Sequence, residues 1–179
     1  MTYRLMGEIA TDTVCRKLGV TKDCETATTP LPGSEEKSYE EVAQKIWESP
    51  TMAQKAAASR MGTRASRIRT GDRRDDTLIC ECEEVSVAEI NAAIDRLEVS
   101  TLTDLRRRTR VGMGTCQGEF CAVRAAGLLA KAHGCVNRER EDIRDFLQER
   151  WKGNFPIGWG DTLREAEYTQ WVYKHVLGL

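Results

Sequence analysis

Four cysteines constrain this chain more than any other feature: Cys80-x-Cys82, then 33 residues, then Cys116-x4-Cys121. Leu78-Ile79 lead into the first pair, and Val111-Gly112-Met113-Gly114-Thr115 breaks a helical pattern just before the second. Both pairs therefore fall at loop-to-helix transitions, where backbone N–H groups lack intrahelical partners and the helix dipole favours thiolate. Gly112, Gly114 and Gly118 let backbone approach the sulfurs where a side chain would obstruct. Such a set holds either a two-iron, two-sulfide cluster or a structural zinc. Zinc knuckles usually leave two to four residues between cysteines, so the single residue between Cys80 and Cys82 favours the cluster. A tetrahedral sulfur site still suits either metal, and zinc stays open at this point. Cys15, Cys24 and Cys135 have no partner at metal spacing and read as ordinary small residues.

The sequence around these cysteines predicts a small helical domain over residues 78–134. Ser86 with Glu89 opens one helix carrying Ile90, Ala93, Ile94 and Leu97, and Thr101 with Asp104 opens a second carrying Leu102 and Leu105. A third is expected from about Gln117 to His133, with small packing residues Ala122, Ala125 and Ala126, ended by Gly134. A core of this size is marginal alone, and a metal crosslinking its loops adds stability. The fold class is mainly α.

The flanks divide into three. Residues 2–18 read as a helix with Tyr3, Met6, Ile9, Ala10, Thr13, Val14 and Leu18 along one face. Residues 26–77 read as a linker with short helices, one capped by Ser38 with Val42, Ile46 and Trp47 inward, the next by Ser49 before Pro50. Within it, residues 60–77 lack any period, and their arginines are expected in a solvated connector. The tail, residues 135–179, predicts a helix ending near Trp151-Lys152-Gly153, a Pro156/Gly158/Gly160 turn, and a last helix capped by Thr162 with Glu165. Tyr168, Trp171 and Tyr173 cover more than one face of that helix; packing on the cysteine domain is favoured over a partner surface.

Composition narrows the function. With 27 basic against 28 acidic residues the net charge is −1, which argues against a dedicated nucleic-acid binder. No apolar run reaches membrane-spanning length, and MTYRLMGEIATD lacks the layout of a secretory signal. The cytosol is the default compartment, where seven cysteines suggest metal or redox chemistry rather than a disulfide framework. No dinucleotide fingerprint or phosphate loop is present. His133 and His175 read as helix C-terminal residues. The run Arg106-Arg107-Arg108 with Arg110 reads as a solvated or ion-paired helix end, with a role neutralising cluster charge as the other possibility.

ICECEEVSVAEI and TLTDLRRRTRVGMGTCQGEFCAVRAAGLL resemble the bacterioferritin-associated-ferredoxin-like cluster domain, in the version found at the C-terminus of the large subunits of anaerobic glycerol-3-phosphate dehydrogenases. MTYRLMGEIATDTVCRKLG resembles the last helix of that family's FAD domain, LPGSEE its following linker, and ERWKGNFPIGWGDTLREAEYTQWVY its tail. The likeness is weak over about 37–77. It implies a 2Fe-2S cluster on Cys80, Cys82, Cys116 and Cys121, with no catalytic residue in this chain, and Thr2, Tyr3 and Arg4 in the stretch that closes the FAD and substrate pocket. It also implies an enzyme oxidising sn-glycerol 3-phosphate on FAD and passing electrons through companion iron–sulfur and membrane-anchor subunits to a quinone, at the inner face of the cytoplasmic membrane. The nucleotide-binding region of that family is missing here, so the chain is expected to be a C-terminal piece inactive alone. Single-domain ferredoxin relatives usually space the second pair C-x2-C; the gap of four here agrees with the dehydrogenase version. The alternative is a zinc-stabilised interaction or nucleic-acid-binding module.

Overall fold

The cysteine domain is entered through a short antiparallel hairpin, which the helical periodicity did not announce. In the computed structural model, which describes residues 2–36, 38–135 and 138–179, β1 (Leu78–Cys80) pairs with β2 (Val85–Ser86), placing Leu78 opposite Ser86 and Cys80 opposite Val85. The turn between them uses Glu84 in the left-handed region, φ 52°. Three helices follow. The Ser86 hydroxyl accepts from the Glu89 N–H and opens α4 (Val87–Leu97); the Thr101 hydroxyl accepts from the Asp104 N–H and opens α5 (Leu102–Thr109). The third, α6 (Cys121–His133), starts at the last cysteine rather than at Gln117, and Gly134 ends it at φ 66°. Residues 116–120 stay in a turn, with Gln117 left-handed and its amide donating to the Met113 and Gly114 carbonyls.

Two tail helices complete this unit. Ile143, Phe146, Leu147 and Trp151 recur at helical spacing on α7 (Glu139–Asn154) and bury against α5 and α6, joining Ile90, Leu105, Val111 and Leu129 in the main core. The next helix, α8 (Asp161–Trp171), begins after Gly160, with no side-chain cap from Thr162, and runs into a π turn over Val172–Val176. That turn seats Tyr173 in the core at 1% exposure, while Tyr168 and Trp171 on α8 stay exposed. Of the three aromatics, only Tyr173 packs on the cysteine domain as favoured from the sequence; Tyr168 and Trp171 do not.

The segment before the hairpin forms a second, smaller apolar cluster. Ser38 caps α2 (Tyr39–Ile46) as expected, but the following α3 (Met52–Met61) is opened by Thr51 and Gln54 in a reciprocal capping box, not by Ser49. Val42, Ala43, Ala57, Ala58, Ala65 and Ile68 bury together with Ala88 of α4. The region 60–77 is therefore only partly the solvated connector expected: a 3-10 turn over Gly62–Arg67 packs Ala65 and leads into buried Ile68, and Arg60 is drawn inward by a carboxylate. The N-terminal helix α1 (Tyr3–Lys17) forms as read, and none of its residues is buried; Tyr3, Met6, Ile9 and Val14 all face solvent. No helix of the described residues is long and apolar enough to cross a membrane.

Candidate metal centre

The hairpin and the turn before α6 bring the four predicted cysteines together in two pairs. The Cys82 and Cys116 sulfurs lie 3.5 Å apart on the outer side, where Cys82 is exposed and Cys116 half-buried. Cys80, at the end of β1, and Cys121, the first residue of α6, are hydrogen-bonded to one another beneath them, each about 1% exposed. Cys15, Cys24 and Cys135 lie on α1, in the segment after it, and past α6, and are free thiols. His133 sits at the end of α6 with its ring nitrogen 3.1 Å from the Val99 carbonyl, in the structural role expected.

Backbone N–H groups converge on these sulfurs because the loops are shaped to bring them there. Cys80 is pulled down to about 6, first by the hydrogen bond from the Cys121 thiol and then, against burial, by N–H groups of Gly112, Glu83 and Cys82. Cys121 is pushed up in turn: it keeps the proton it shares with Cys80, and burial adds to the effect. Cys82 is lowered by the Cys116 N–H and by the Thr115 hydroxyl, which donates at 3.7 Å. Thiolates so stabilised are the form that binds metal.

Gly114 shows how tightly the two loops fit: a Cβ there would stand 2.2 Å from the Cys82 Cβ. Gly112 (φ +77°), whose N–H reaches Cys80 as expected, and Gly118 (φ +94°) also serve a second purpose. A Cβ on either would meet the Phe146 ring, at 3.0 and 2.7 Å, so these glycines let the ligand loop settle on α7. From the other side the Tyr173 hydroxyl donates to the Gly118 and Glu119 carbonyls.

Charged residues lock the rim. Glu81 takes a two-bond contact from Arg124, and Glu83 one from Arg110. Arg60 is the residue that sequence reasoning missed. Its guanidinium grips Glu89, which is 2% exposed, and donates to the Glu83 and Glu84 carbonyls, so one half-buried arginine pins the turn carrying Cys82. In the arginine run at the end of α5, Arg108 meets Asp104 and Arg110 meets Glu83, the ion-paired helix end expected of them.

All four donors are cysteine sulfurs, a set that suits an iron–sulfur centre or a zinc ion. Two adjacent thiol pairs, each with its own N–H donors, fit a two-iron centre with two thiolates per iron.

Residues 78–131 match the family described as the BFD-like [2Fe-2S] binding domain. The whole chain is similar to part of the anaerobic glycerol-3-phosphate dehydrogenase A-subunit of Haemophilus influenzae, 50% identical over all of this chain and 32% of that protein, and to that of Escherichia coli K12, 51% identical over all of this chain and 33% of that protein. The A1-subunit of Haloferax volcanii is 37% identical over 98% of this chain and 29% of its own length. The chain thus spans about a third of the length of the curated relatives it matches. No solved structure matches it.

Proposed function

Since the chain carries a BFD-like [2Fe-2S] binding domain and is similar throughout to the C-terminal part of the anaerobic glycerol-3-phosphate dehydrogenase A-subunit, we propose that it is the electron-transfer module of such an enzyme. The observation that carries this reading is the division of Cys80, Cys82, Cys116 and Cys121 into two pairs on facing loops. These four residues hold the cluster, which takes up and releases one electron at a time. The chain's own part is to fix the sulfurs before loading, through Gly114 and Arg60, to supply N–H donors that stabilise the thiolates, and to shelter the Cys80–Cys121 side from water.

The rest of the enzyme lies in partners of defined chemistry. An FAD domain would supply the oxidation of sn-glycerol 3-phosphate to dihydroxyacetone phosphate, and the four cysteines would hold the cluster that accepts its electrons one at a time. Companion iron–sulfur and membrane-anchor subunits carry them to a quinone at the inner face of the cytoplasmic membrane. The exposed apolar stripe of α1, Tyr3, Met6, Ile9 and Val14, is suited to packing on that FAD domain, with Thr2, Tyr3 and Arg4 nearest its pocket.

Anaerobic reconstitution with iron and sulfide tests the reading. The loaded protein should carry about two irons and two acid-labile sulfides per chain and show sulfur-to-iron charge-transfer absorption that dithionite bleaches. A colourless protein holding one zinc would overturn it.

A further inference from the structure

A guanidinium nitrogen buried without an acceptor is costly unless a negative group nearby compensates its charge. Four buried side-chain nitrogens among the described residues have no hydrogen-bond partner: Arg106 Nε, Arg150 Nε and Nη1, and Trp151 Nε1. All four belong to α5 and α7, the helices under the ligand loop. The Arg106 guanidinium stands 5.7 Å from the centre of the Phe146 ring, the same ring on which Gly112 and Gly118 rest. Arg150 follows Phe146 by one helical turn on that face of α7. Burial disfavours its charge, and the groups that restore it are Tyr173, Glu119 and Cys116, while Arg106 opposes.

The rim arginines are spent differently. Arg110 and Arg124 are each matched by a glutamate, so they add little net charge to the site. Arg106 and Arg150 form no such salt bridge; Arg106 stands over the Phe146 ring on which Gly112 and Gly118 rest, and Arg150 is close enough to Cys116 to feel its charge. We propose that Arg150, with Arg106 beside it, is the half-buried counter-charge that sets the reduction potential of the cluster; this rests on the assignment of the four cysteines as its ligands. A four-thiolate cluster is an anion whose negative charge grows by one when it accepts an electron from a reduced flavin. No bond forms or breaks in that step. A fixed positive charge in a poorly solvated site stabilises the reduced state more than the oxidised one and raises the potential.

The test is a dithionite titration of the anaerobically reconstituted full chain, followed by visible and electron paramagnetic resonance spectra. It compares wild type with Arg150→Gln, Arg106→Gln, Arg150→Lys and, as an exposed control on α7, Arg144→Gln. Iron and sulfide are counted in each. Arg150→Gln should keep its cluster, while its ratio of reduced to oxidised cluster at the wild-type midpoint falls about tenfold, 59 mV for a one-electron couple. Arg106→Gln should move in the same direction, Arg150→Lys by much less, and Arg144→Gln not at all. Full iron and sulfide with an unmoved midpoint in both glutamine variants would overturn the counter-charge and leave the ligand assignment standing. Should Arg150→Gln fail to load, Arg106→Gln decides alone by the same criterion. A wild type without iron and sulfide would overturn both.

Discussion

The hydroxyl of Tyr173 donates to the carbonyl of Glu119 at 2.6 Å, joining the last helical turn of the chain to the loop between Cys116 and Cys121. A second bond reaches the Gly118 carbonyl at 3.2 Å. The tail therefore holds the backbone between two of the proposed ligands.

Tyr173→Phe keeps the ring and removes both bonds. Net hydrogen-bond contributions near 1 kcal/mol predict a loss of about that size in urea unfolding, with faster cluster release on dilution into chelator. Burial raises the Tyr173 phenol to about 12, above the roughly 10 of an unfolded tyrosine. The native state then holds a proton that the unfolded chain gives up. Its contribution is full below about pH 10 and is lost as pH climbs toward the folded value. Wild-type and Tyr173→Phe stability curves should converge over that interval; parallel curves would show the phenol contributes nothing there.

Gly114→Ala places a methyl where the Cys82 Cβ already stands. Overpacking of this kind costs about 1–3 kcal/mol, and relief requires the loop to move. The expected result is a lower unfolding midpoint together with sub-stoichiometric iron, measured on the same preparation.

Arg60→Ala removes the counter-ion of Glu89 and the donor to the Glu83 and Glu84 carbonyls. Breaking a buried pair from one side costs about 3–5 kcal/mol. Burial already holds the Glu89 carboxyl above its usual range against the pull of Arg60, and removing the arginine pushes it further up. The folded variant then binds a proton that the unfolded chain releases, so its stability recovers as pH falls. The gap from wild type should narrow between neutrality and the ordinary glutamate range, about 4.3. A pH-independent gap would mean the carboxylate finds another partner.

Cys116→Ala should abolish the cluster and lower the thermal midpoint of the reconstituted protein to that of the metal-free chain, because metal binding contributes to folding stability. Cys135→Ala should change neither, since that thiol is free and outside the ligand group. Iron loss in Cys135→Ala would refute the ligand assignment.

What could be read in advance follows how local each signal is. Ser86 and Thr101 cap α4 and α5 as their spacing predicts, because a cap and the helix it opens lie within four residues of one another. The cysteine pairs were legible for the same reason, each being short, and the second also lies among glycines. Thr51 and Gln54 carry a capping box as readable as that of Ser86, and Ser49 before Pro50 distracted from it. The hairpin of Leu78–Cys80 with Val85–Ser86 is too short to show an alternating pattern. Arg60 with Glu89, Phe146 under Gly112 and Gly118, and Tyr173 with Glu119 join residues far apart in the chain. The apolar face of α7 could be seen in the sequence, but not which loop it would carry.

The unequal exposure of the four thiols has a kinetic consequence for the metal-free chain. Cys82 is open to solvent and held toward thiolate, whereas Cys80 and Cys121 lie beneath it with a proton between them. Alkylating agents and oxidants therefore meet the ligands in a set order, Cys82 first and the inner pair last. The first lesion falls on a sulfur proposed to hold the cluster.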